Sequence, residues 1–160
     1  MNVNIYSRDL TRQAPHSPRE RIGGFVIAAR AVDKCRACMA GTLGEYHYNS
    51  RLDHMLFNFK GITASAFQIA VATAKTYEEV GAWLLANGTP KSPDEIKAWS
   101  DSIEASNPMK SSEWRDAFFK GCQRLGFEPE DTTTFDWLEA DDRTSFHPAC
   151  YQAADLVLVS

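Results

Sequence analysis

Ile22-Gly23-Gly24-Phe25-Val26-Ile27-Ala28-Ala29-Arg30-Ala31-Val32-Asp33-Lys34 is the stretch that decides how the chain is read. At about 100° per residue, Ile22, Val26, Ala29 and Asp33 fall on one helical face. A carboxylate centred on an apolar stripe is costly unless something pairs with it. Asp33, flanked by Arg30, Lys34 and Arg36, is therefore the first place to look for a functional site. Upstream, Ser17-Pro18-Arg19-Glu20 has the pattern of a capping box with proline at the first helical position. Downstream, Gly41 supplies a stop. Together they predict a first helix over 18–40.

Working outward, start and stop signals recur at short intervals. A helix over 52–59 closes at Gly61 and turns Met55, Leu56 and Phe59 inward. Thr63 or Ser65 caps the next, which carries Phe67, Val71 and Ala74. Thr76-Tyr77-Glu78-Glu79 is a second box ahead of Val80, Trp83 and Leu84, and Asn87-Gly88 ends that helix. Ser92-Pro93-Asp94-Glu95 is a third, followed by Ile96, Trp99 and Ile103 at helical spacing. After the break at Asn107-Pro108, Trp114, Phe118, Cys122 and Leu125 mark an amphipathic helix ending at Gly126. A short helix over 134–140 turns Phe135 and Leu138 inward. Only 45–48 and 156–159 read as strand candidates. The expected fold is all-α: a single-domain bundle of six or seven helices with short loops, an extended N-terminal arm over 1–16 and an unassigned tail over 144–160.

The 160 residues fit one domain with a core of its own, and 44% apolar against 24% charged is ordinary for a globular chain. A net charge of -4 without a basic run argues against nucleic acid as a partner. The apolar run over 22–29 is far short of the ~20 residues of a membrane span, and no secretory h-region is visible. A cytoplasmic location with four free thiols is the expectation.

Two segments carry candidate chemistry. Around Asp33, a carboxylate at a pocket mouth would act as a general base or metal ligand, with Arg30 and Lys34 holding an anionic ligand. The alternative is an intrahelical pair of Arg30 with Asp33, which also accepts bonds from a neighbouring loop and so fixes the first helix in the bundle. Gly44-Glu45-Tyr46-His47-Tyr48 follows closely. Glu45 and His47 are proton-transfer groups, and Tyr46 and Tyr48 are ligand-binding or core-packing phenols. If extended, the segment points Glu45 and His47 one way and the tyrosines the other.

Cys35-Arg36-Ala37-Cys38 sits late in a helix, where the dipole opposes thiolate formation. With Gly24 and Ala31, its cysteines form a small-residue packing strip. His16, His54 and His147 are scattered without ligand spacing, so no metal site is expected, and Asp53 reads as a helix cap. No phosphate loop or nucleophile motif names a cofactor.

Asp9-Leu10-Thr11, Ser17-Pro18-Arg19, Gly23-Gly24, Ala29-Arg30, Asp33-Lys34-Cys35-Arg36-Ala37, Gly44-Glu45-Tyr46-His47-Tyr48, Leu52-Asp53 and Phe57-Asn58-Phe59-Lys60-Gly61 resemble a bacterial family catalogued as domain of unknown function five-zero-six-nine. The resemblance is dense over 9–61, looser to Leu138, and absent over 144–160. It implies a small helical bacterial protein and brings no activity with it. Two functions compete. One is a helical protein whose polar pocket binds a small anionic ligand, with Asp33, Glu45 or His47 moving protons. The other is an interaction module without chemistry, in which the same cluster is a structural lock and an aromatic groove or the apolar tail docks on a partner or a second copy.

Overall fold

The computed structural model describes residues 6–110 and 113–146, and among these it holds seven α-helices and no strand. The all-α expectation is met. The tail expectations, His147 and the strand candidate over 156–159, lie outside the described residues, as do residues 1–5 of the expected arm. The chain divides into two compact units, Met1–Glu104 and Ala105–Ser160.

The first unit is built around α1 (Ala28–Ala40), which is buried from Ala28 to Ala37 and packs against α2 (Arg51–Lys60), α3 (Ala64–Thr73) and α4 (Tyr77–Ala86). A helix enclosed on all sides has no solvent face for its charges. Arg30, Asp33, Lys34 and Arg36 must therefore each find partners inside the protein. The core beside it is aromatic: Tyr48, Phe57 and Phe67 meet edge-on or stacked with ring centroids 5.1–6.4 Å apart. Each fully buried phenylalanine of this kind contributes roughly 1.5–3 kcal/mol.

α1 starts ten residues later than the capping pattern predicts. Ser17 accepts from the Arg19 amide, and the Glu20 amide bonds the Ser17 carbonyl, so the segment makes a turn rather than a helix. Gly23 and Gly24 then adopt positive φ (59° and 87°), and Ile22 and Phe25 exchange backbone bonds across them. Two consecutive left-handed residues cannot continue a right-handed helix. α4 also lies close to Gly23, since a Cβ there would be 3.1 Å from the Gly81 carbonyl oxygen. Ile27 closes the loop by donating its amide to the Pro18 carbonyl at 2.8 Å. The Ser17 oxygen accepts an early amide as the capping pattern predicts, but the helix expected from Pro18 does not begin there.

The other signals behave as expected. Gly41 and Gly61 end α1 and α2 in the left-handed region. Thr63 and Thr76 accept the expected amide bonds at the starts of α3 and α4. Ser92 and Glu95 bond reciprocally at the start of α5 (Pro93–Glu104). At α2 the cap is Ser50, with Asp53 as the reciprocating third residue of the box rather than the cap itself. Residues 45–48 form no strand: Glu45 and Tyr48 lie in turns, and Tyr46 and His47 are irregular between them. The described part of the arm is also folded, with Arg12 and Gln13 amides turning back onto the Asp9 carbonyl and the Leu10 amide bonding Thr42. No single described helix is long and apolar enough to cross a membrane; α2 and α3 pass that test only as a pair bent by 90°.

In the second unit, α6 (Arg115–Leu125) packs against α7 (Thr134–Phe146) and two 3₁₀ turns, Pro108–Lys110 and Pro129–Asp131. α6 ends at Gly126 as predicted, whereas α7 runs six residues beyond the expected 134–140.

Candidate functional site

Asp33 is 1% exposed, and its carboxylate collects donors from three separate segments. The His16 amide reaches Oδ2 at 2.7 Å and His16 Nδ1 reaches the same oxygen at 2.6 Å. The Tyr77 hydroxyl donates to Oδ1 at 2.5 Å, and Arg8 Nε lies 3.9 Å from Oδ2. A carboxylate can only accept, so Nδ1 carries the imidazole proton. Nε2 is then an acceptor, and Arg8 Nη2 sits 3.1 Å from it. Arg8 Nη1 in turn donates to the Ala14 carbonyl. Burial, with the Asp33 carboxylate against it, holds the Tyr77 phenol protonated well above its usual range.

The cations of α1 are spread over different partners. Lys34 Nζ lies 2.9 Å from Asp53 Oδ1 and donates to Ser50 Oγ, a buried ion pair that ties α1 to the start of α2. Arg30 donates to the His16 carbonyl, and its guanidinium lies 5.5 Å from the centre of the Tyr46 ring. Arg36 lies against the rings of Tyr6 and Tyr77. The pairing that the sequence suggested, Asp33 with Arg30 or Lys34, gives way to Asp33 with His16, Tyr77 and Arg8.

Glu45 and His47 are exposed while Tyr46 and Tyr48 are partly covered, so the expected alternation survives although the backbone turns. Tyr48 donates to the Ala64 carbonyl at 2.6 Å and packs on Phe57 and Phe67. It is a core ring with its hydroxyl satisfied. Burial pushes the Cys35 thiol up to about 12, which fits packing rather than redox chemistry. Among the described residues, no group of three metal-binding side chains comes together.

A groove of about 440 Å³ opens on the first unit. Its wall holds His16 and Tyr77, the two side chains bonded to Asp33. Its apolar lining includes Ile22, Ala82 and the exposed Leu85, with Glu20 and Glu78 on the surface around it. Arg21 also lines it but is committed to Asp101 at 2.8 Å and Glu104 at 3.7 Å. None of Asp33, Arg30, Lys34, Glu45, Tyr46, His47 and Tyr48 lines this groove. His16 and Tyr77 were missed as site residues, although His16 stands between Pro15 and Ser17-Pro18, a rigid frame that fixes an imidazole in place. Nothing local marks Tyr77, which reads as an ordinary first-turn residue of its helix.

A family model with the description "Domain of unknown function (DUF5069)" matches residues 12–144. No curated protein matches the chain.

Proposed function

The chain belongs to this family of domains of unknown function, and from that premise we propose that it is a binding protein rather than an enzyme working through Asp33. A single observation carries this: Asp33 is sealed, yet both side chains that it holds, His16 and Tyr77, form the wall of the groove. Each ring nitrogen of His16 already has a partner, and the Tyr77 proton is given to Asp33. These groups present a fixed polar surface and have no base poised to take a proton from a ligand. Asp33 is then the positioning residue beneath a binding wall.

The lining sets the ligand's chemistry. Glu20 and Glu78 are acidic, and the one guanidinium, Arg21, is neutralised by two carboxylates. An apolar body carrying an amine suits this surface better than the anion expected at Arg30 and Lys34. Benzylamine and benzoate test it, because they share a ring and differ in charge. We expect saturable amide shifts in nuclear magnetic resonance at His16, Tyr77, Ala82 and Leu85 with benzylamine, and weaker ones with benzoate. Absence of saturable shifts at these residues with either probe would rule the groove out. We place the protein in a bacterial cytoplasm, on the resemblance of its motifs and the free thiols of Cys35, Cys38 and Cys122.

A further inference from the structure

Arg36 is the one charged residue of α1 whose needs are left open. It is 3% exposed, and Nη1 makes only a long bond, 3.4 Å, to the Tyr6 carbonyl. Nη2 is buried and has no hydrogen-bond partner. The guanidinium carbon lies 6.0 Å from the Tyr6 ring centre and 5.1 Å from that of Tyr77. Ring faces attract a cation but do not replace the hydrogen bonds it had in water.

The local charge makes the shortage sharper. Asp33 is the carboxylate of this cluster, and its oxygens are taken by His16 and Tyr77. Arg8 adds a second guanidinium, 3.9 Å from Asp33 through Nε, with its other donors on His16 and Ala14. Asp53 is occupied by Lys34. Arg8 thus stands beside that carboxylate, while Arg36 forms no ion pair with it. A buried guanidinium is satisfied only by acceptors, and Arg36 is short of them. What would satisfy it is an acceptor with two oxygens in one plane.

We infer that the Arg36 guanidinium, between the rings of Tyr6 and Tyr77, anchors a binding site for a small oxyanion, a phosphate or carboxylate, with Tyr6 as its outer cover. Tyr6 is 39% exposed and Arg8 is partly exposed, so Arg36 lies beneath partly exposed side chains, and in this proposal the anion enters as the Tyr6 side chain turns outward. Arg8 contributes field rather than hydrogen bonds. The site shares the Tyr77 ring with the groove but stands independently of it: the groove takes its chemistry from Glu20 and Glu78, this site from Arg36.

Thermal unfolding of the full chain tests it, in inorganic phosphate, acetate and chloride at equal pH and ionic strength. Phosphate also stabilises folded proteins by being excluded from their surface, so the readout is the difference between wild type and Arg36→Met. We expect phosphate or acetate to protect the wild type beyond that general effect, and Arg36→Met to remove the excess. In chloride the variant should melt no lower than the wild type, since it deletes an unsatisfied cation. Response to both anions assigns any planar pair of oxygens; response to phosphate alone assigns a phosphate ligand. Should Arg36→Met not fold, Arg36→Lys keeps the charge without the fork and should weaken the apparent affinity about tenfold. Tyr6→Ala should keep the effect at equal or lower anion concentration. Equal protection in Arg36→Met, or in Arg36→Lys where that variant is used, marks an adventitious ion only and overturns the assignment, as does an unresponsive wild type.

Discussion

Replacing Asp33 by asparagine keeps the shape of the side chain and removes its charge, so it isolates what the carboxylate contributes. Three donors meet it: the His16 amide at 2.7 Å, His16 Nδ1 at 2.6 Å and the Tyr77 hydroxyl at 2.5 Å. An asparagine has one oxygen and one NH2, so whichever way it turns, one of the two sides faces a group that was donating. If the oxygen faces His16, Tyr77 must become the acceptor. If it faces Tyr77, the His16 amide is left buried without a partner. A bond to a charged acceptor is worth roughly 1 kcal/mol more than a neutral one. Over three bonds at a 1% exposed site, Asp33→Asn should therefore cost about 3 kcal/mol, with no discount for solvent. With a urea dependence of about 2 kcal/mol per molar, the unfolding midpoint should drop by about 1.5 M. Hydrogen exchange at the His16 amide should accelerate along with it, which ties the loss to the cluster itself. A midpoint within about 0.25 M of the wild type, the scatter of neutral surface substitutions, would show that Asp33 does not hold these segments together.

Two further outcomes follow from buried groups elsewhere on α1. Lys34→Met leaves Asp53 enclosed without its cation and should cost about 3–5 kcal/mol, while adding Asp53→Asn should recover part of this; additive losses in that cycle would mean the ion pair is inert. The Cys35 thiol holds its proton to about 12 in the folded chain but ionises near 9 when unfolded, so the folded state binds more protons between those values and stability falls as pH rises through the window. Cys35→Ala should flatten that slope by up to about 1.4 kcal/mol per pH unit, and urea midpoints that decline equally in both proteins from pH 9 upward would refute the assignment.

What the sequence revealed and what it hid divide by distance along the chain. Gly41, Gly61 and Gly126 end their helices because a left-handed residue acts on the turn next to it. Thr63, Thr76 and Ser92 cap theirs through bonds spanning three residues. Asp33 was conspicuous for a related reason, since its misfit is visible against its own helical face. Its partners were not, because His16 is 17 residues away and Tyr77 is 44. The late start of α1 is an intermediate case. The Ser17 oxygen accepts an early amide as its capping pattern predicts, but no helix follows, because Gly23 and Gly24 take positive φ where Gly81 of α4 and Ile96 of α5 lie close to them.

The joining of His16, Asp33 and Tyr77 also has a consequence in time. His16 and Tyr77 are 61 residues apart. At about 5–20 residues per second of synthesis, roughly 3–12 s pass between making the first and the last of the three. For the last 44 residues of that stretch, about 2–9 s, the nascent chain carries the Asp33 carboxylate while its phenol partner does not yet exist. The segment around His16 can thus be held to Asp33 as soon as that residue is made, but the cluster closes only when Tyr77 follows it.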